Sequence, residues 1–197
     1  MSADAKFAEL GLELPSAPKP AGVYKPLVVT GSYCYVSGHG PLLTDNTMLS
    51  GRVGSEVDQQ AGYEAARQTG LAILSTLKAS FGSLDKVLRV VKVLGMVNAA
   101  PEFTEHPAVI NGCSELFAEI WGEENGVGAR SAVGMGSLPG NITVEIEVIF
   151  ELRDSRRCRR VEKRALTRRQ VFPEKSQPVP VEDLVDIFPR ISPLKHQ

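Results

Sequence analysis

The chain has 197 residues, 43% of them hydrophobic, enough to bury one sizeable core. No apolar run approaches the roughly 20 residues that cross a bilayer, and MSADAKFAEL has neither a secretory signal's apolar core nor a transit peptide's arginines. The net charge of -1 divides unevenly: residues 1–152 carry ten Lys/Arg against seventeen Asp/Glu, and residues 153–169 carry nine against two.

From the N-terminus, DAKFAELGLEL repeats its apolar residues near a 3.6 period and predicts a short helix, followed by the proline-rich PSAPKPAG. Leu27–Val29 and Tyr33–Val36 around Thr30-Gly31-Ser32 read as a hairpin. PLLTDNTMLSGRVGS is turn-rich and reads as a loop. Helix formers dominate from Glu56 to Phe81, with Ser55 as cap and Val57, Ala61, Ala65, Thr69, Ala72, Leu74 and Leu77 as the buried stripe. Gly82 closes that helix.

DKVLRVVKVLGMVNA is a β-branched strand. PAVINGCSELFAEIWG is a second helix, with Pro107 in its first turn and Gly122 past its end. Residues 129–137 and 142–152 are strands joined by LPGN. The order β-β-α-β-α-β-β predicts an α+β fold, a sheet with both helices on one face. Its other face, left open, marks an oligomer contact.

Three divisions are expected: a lead-in over 1–19, a domain over 20–152 and a basic, then proline-rich tail over 153–197, without fixed structure. The tail's RRCRRVEKRALTRR leaves nucleic acid open as a partner, although it has no aromatic residue for base stacking. The acidic domain gives nucleic acid no electrostatic support.

Arg130 stands at the head of the 129–137 strand among small residues. Arg130, Ala132, Gly134 and Gly136 share one face, and a two-residue turn at Pro139-Gly140 would set Gly134 opposite Glu145. Arg130 would then share its face with Glu145, Glu147 and Glu151. Two readings stand: a structural ion pair with Glu145 or Glu147, or a guanidinium fork that holds a ligand carboxylate, with the small residues leaving room for it.

ARSAVGMGSLPGNITVEIEVIFEL resembles the closing signature of the Rid family (reactive-intermediate deaminases, also called the YjgF family). The likeness runs collinearly through YVSGHGPL, the helix from Gly62, VVKVLGMVNAAPEF and HPAVINGCSELFAEIWG, over about residues 20–152. It implies a chorismate-mutase-like fold and a homotrimer with clefts between subunits. It also implies hydrolysis of small 2-imino acids of the 2-aminoacrylate type to 2-oxo acids and ammonia, without metal or organic cofactor.

The family's carboxylate-binding arginine falls on Arg130 and its acid/base glutamate on Glu145. Its pocket tyrosine falls on Tyr24, its Ser-Gly turn on Ser37 and Gly38, and its helix asparagine on Asn111. Backbone groups near Gly38 are expected to contact the leaving nitrogen. His39 replaces the usual glutamine and either lines the cleft or is a turn histidine with no role, while Ala132 and Gly134 replace a frequent cysteine and a glutamate. A non-catalytic trimer binding a small carboxylate or a partner protein is the alternative.

His106, before Pro107, reads as a surface residue. Cys34, Cys113 and Cys158 show no metal spacing and suit a reducing, cytoplasmic setting.

Overall fold

Burial decides which strand takes the middle of the sheet. In the computed structural model, which describes residues 1–153, the strands are β1 (Leu27–Thr30), β2 (Tyr33–His39), β3 (Val87–Asn98), β4 (Ala129–Met135) and β5 (Val144–Leu152). Their order is β1-β2-β5-β3-β4. β5 alternates strictly, with Val144, Ile146, Val148, Phe150 and Leu152 all buried. Such a strand gains most between two partners, and it pairs antiparallel with both β2 and β3. β4, built of small residues with little to bury, takes the edge and pairs parallel with β3.

The expected hairpin of the last two strands is therefore not formed. Pro139–Asn141 is a 3₁₀ turn, and β3 separates β4 from β5. The tail, with the division drawn for it, lies outside the described residues.

Among the described residues, four helices accompany the sheet: α1 (Ala3–Glu9), α2 (Gln59–Phe81), α3 (His106–Trp121) and the one-turn α4 (Glu123–Gly126). The α2 cap is Asp58, accepting from Ala61 N at 2.8 Å, rather than Ser55. The stripe is also wider than 3.6 periodicity implies. Ala61 is exposed, whereas every residue from Leu71 to Leu77 is buried. The cause is the N-terminal segment, which lies over α2: Ser75 Oγ donates to the Pro15 carbonyl, and Leu12 and Leu14 pack on the core.

The lead-in belongs to this core. Asp85 accepts from Ala3 N at 2.6 Å and Asp4 accepts from Leu84 N at 3.3 Å, so each aspartate satisfies the other segment's first amides. α1 ends before Gly11, earlier than the apolar repeat suggests.

α2 and α3 cover one face of the mixed sheet, where Ile73, Leu74, Val93, Ile110, Phe117, Ile146 and Phe150 form the core. This is the fold the family resemblance implies. The other face keeps Val28, Tyr33, Tyr35 and Val133 between 39% and 49% exposed. It carries a depression of about 440 Å³ lined by Val28, Tyr35, Lys92, Leu94 and Glu147 among others. No helix among the described residues is long and apolar enough to cross a membrane.

Candidate active site

The strand register separates the two residues on which the expected chemistry depends. Arg130 pairs with Val93, which pairs with Val148, and both valines are buried under the helices. Paired residues point to the same side of a sheet, so Arg130 lies on the helix side. Glu145 pairs with Met96, which pairs with the exposed Val133. It lies on the open side. Arg130 and the glutamates of β5 therefore occupy opposite faces, against the expectation from a hairpin.

On the helix side, Arg130 Nη1 donates to Asn111 Oδ1 at 2.7 Å and to Ser114 Oγ at 3.1 Å. Both partners are neutral. The ion pairs among the described residues, such as Arg67–Glu119 and Arg89–Glu151, do not include Arg130. It is also the only Lys or Arg between Lys92 and Arg153. The structural ion-pair reading thus fails among the described residues. What remains is a half-buried guanidinium held at one nitrogen, with Nε and Nη2 unpartnered among the described residues. Beside it Cys113 is fully buried, and burial pushes its thiol pKa up while the Arg130 charge draws it down.

Small residues on β4 serve a different purpose from the one expected. The space above Gly134 is filled by the His106 ring, which a Cβ there would strike. His106 in turn packs edge-on against Phe103, with centroids 5.5 Å apart. The glycine admits the start of α3 against the edge strand, and His106 is not a free surface residue. Sequence reasoning also missed Ser114; its signal was the i, i+3 spacing from Asn111, which puts both on one face of α3.

On the open side, β2 and β5 lose register between Val36 and His39. The resulting bulge contains Ser37 and Gly38, and bulges re-aim the residues beside them. Ser37 Oγ donates to the Lys25 carbonyl at 2.7 Å, and Ser37 N to the Pro26 carbonyl at 3.0 Å. That pair ties down the segment carrying Tyr24, which is 50% exposed and accepts from Ala21 N. The Glu145 carboxylate lies directly against Gly38, where any Cβ would collide with it. Burial raises the Glu145 pKa, and the like charge of Glu147 raises it further.

His39 does not line this cleft. It pairs with Ile146 and is 4% exposed, facing the helices. The expected set thus divides into two. Arg130 and Asn111 lie on the helix side, Ser37, Gly38 and Glu145 on the open side, with Tyr24 on the segment tied to Ser37. Among the described residues, no three His, Cys, Asp or Glu side chains converge to hold a metal ion.

Known proteins agree with this architecture. Residues 4–151 match the family described as "YjgF/chorismate_mutase-like, putative endoribonuclease", and the chain belongs to that family. It is 39% identical over 148 residues to Protein TCP17 of Trypanosoma cruzi, covering 75% of this chain and 92% of the relative. The crystal structure of Atu1372 from Agrobacterium tumefaciens, a protein of unknown function, superposes with a TM-score of 0.69 at 40% identity, covering 76% of this chain and 93% of that one. A Dermatophagoides farinae protein named 2-iminobutanoate/2-iminopropanoate deaminase is 29% identical over 139 residues, covering 70% and 92%.

Proposed function

We propose that the protein hydrolyses small 2-imino acids to 2-oxo acids and ammonia, in clefts formed between the subunits of a homotrimer. The observation that carries this reading is the Arg130 guanidinium, fixed by Asn111 and Ser114 and facing no carboxylate among the described residues. Its free edge suits a ligand carboxylate, which the fork can bind with two parallel hydrogen bonds. The name of the Dermatophagoides farinae relative points to the same chemistry.

Because Arg130 and Glu145 face opposite ways, one chain supplies only half of each cleft. Arg130, Asn111 and Ser114 of one subunit would face Tyr24, Ser37, Gly38 and Glu145 of its neighbour, and the exposed Val28, Tyr33, Tyr35 and Val133 would be covered. Arg130 clamps and orients the carboxylate. Glu145 takes a proton from water as the water oxygen bonds to the imine carbon. It gives that proton to nitrogen as the C=N bond becomes single. It then carries the new hydroxyl's proton to nitrogen as the C–N bond breaks, the C=O bond forms and ammonia leaves. Burial raises the Glu145 pKa, which favours the return of a proton once it has been taken.

The test couples an amino-acid oxidase to the purified protein and follows imine decay. Arg130→Ala and Arg130→Lys are expected to fold and to lose turnover by about 10²-fold or more, because two charge-assisted hydrogen bonds of about 1.5–3 kcal/mol each are lost or misaligned. An active Arg130→Lys beside an unfolded Arg130→Ala would make the arginine structural. Binding of a 2-oxo acid without any acceleration of imine decay would select the non-catalytic alternative.

A further inference from the structure

The Ser37–Gly38 bulge is held from behind by a side chain that never reaches the cleft. His39 Nδ1 lies 2.7 Å from the Ser37 carbonyl oxygen, and Nε2 lies 2.8 Å from Thr76 Oγ1 on α2. A carbonyl oxygen only accepts, so Nδ1 carries the proton and Nε2 accepts from the threonine hydroxyl. Burial lowers the ring's pKa, outweighing the Ser37 carbonyl, which raises it. The neutral ring that this arrangement requires is therefore favoured, and no charged side chain contributes to the shift.

The Ser37 carbonyl and the Gly38 N–H belong to one peptide. No peptide bond among the described residues is cis, and in a trans peptide the C=O and N–H point in opposite directions. Drawing the carbonyl toward the buried ring turns the Gly38 N–H toward the open side. There the Glu145 carboxylate lies against the same glycine.

We propose that His39 is a positioning residue: through the Ser37 carbonyl it fixes the Gly38 N–H as a donor aimed into the Glu145 half of the cleft. The oxygen it serves is that of the attacking water, which becomes the 2-oxo oxygen of the product, rather than the leaving nitrogen. Glu145, the base for that water, and the Gly38 N–H then hold one oxygen from two sides. The chemical role rests on the imine-hydrolase reading; the geometric role does not.

Two readouts on the full chain separate these. The first is the Ser37 carbonyl ¹³C and Gly38 amide ¹H and ¹⁵N shifts of the free protein; the second is kcat and KM for imine hydrolysis. His39→Leu removes both ring bonds, Thr76→Val removes only the donor to Nε2, and His39→Asn places an amide N–H where Nδ1 stood. His39→Leu is expected to move the Ser37 and Gly38 resonances and to lower kcat about 10- to 100-fold, with KM changed far less, as a misplaced reacting group does. Thr76→Val should shift the same resonances in the same direction and decides the matter should His39→Leu not fold.

His39→Asn should restore the resonances and most of the lost kcat. A folded His39→Leu or Thr76→Val whose Ser37 and Gly38 resonances and kcat match wild type would overturn the proposal and leave His39 as core packing. Wild type inert toward imines would overturn the hydrolase reading, while the resonances would still decide whether His39 sets the bulge.

Discussion

The two faces of the sheet are built to different standards of completion. The helix side is packed within one chain except beside the half-buried Arg130: Phe117, Ile110 and Leu116 of α3 are wholly buried, and the His106 ring meets Gly134 of the edge strand. The open side is incomplete, with tyrosines and valines half exposed and a carboxylate of raised pKa beside a bulge. In the proposed reaction, packing fixes Arg130 from the helix side, while Glu145, the proposed proton carrier, sits on the face a neighbour would close.

The largest expected effect falls on the open face. Glu145→Gln keeps the shape and loses proton transfer, so turnover should drop by about 10²- to 10⁴-fold while a 2-oxo acid binds as to wild type. Its stability should move the other way. The folded pKa of Glu145 is raised, so the native state holds this proton more tightly than the unfolded chain does. Stability from this group is greatest at acid pH and declines as pH rises from the unfolded to the folded value. Glu145→Gln should therefore raise Tm at neutral pH and leave it unchanged in acid, as thermal melts at two pH values would show.

A matched pair of substitutions sharpens the comparison. Gly38→Ala places a methyl where the Glu145 carboxylate lies. A side-chain end can swing aside, so the protein should fold near its wild-type Tm and lose turnover by about tenfold or more. Leu116→Ala, in the packed face, should cost about 2–5 kcal/mol of stability and leave turnover per folded molecule unchanged. Denaturant melts and turnover measured on the same samples would distinguish the two. The reverse pattern would mean that the open face is structural.

The smallest effect concerns pH alone. As the proposed base Glu145 would act when ionised, so the acid limb of kcat/KM should be displaced upward from an ordinary glutamate's. Glu147→Gln removes a like charge and should move that limb to lower pH with little change in the plateau.

Much of this was legible in the residues. Helix and strand periodicity located both long helices and all five strands, and the stretch from Ala129 to Leu152 identified the family. What stayed hidden was non-local. Leu-Pro-Gly-Asn is a turn in any arrangement, and nothing within it states that β5 will insert between β2 and β3. With the hairpin assumed, Arg130 was assigned the wrong face. Thr76 lies 37 residues from His39, and no local pattern links them. Gly134 signalled a close approach, but not whether a ligand or α3 would make it.

The central claim is that each cleft takes Arg130 from one chain and Glu145 from the next. Arg130→Ala and Glu145→Gln chains, each inactive alone, can be unfolded together at equal amounts and refolded into mixed trimers. Random assembly pairs an intact Arg130 with a neighbour's intact Glu145 in about one cleft in four, so roughly a quarter of wild-type imine hydrolysis should return. No recovery from trimers shown to be mixed would place both residues in one chain's site and contradict the account.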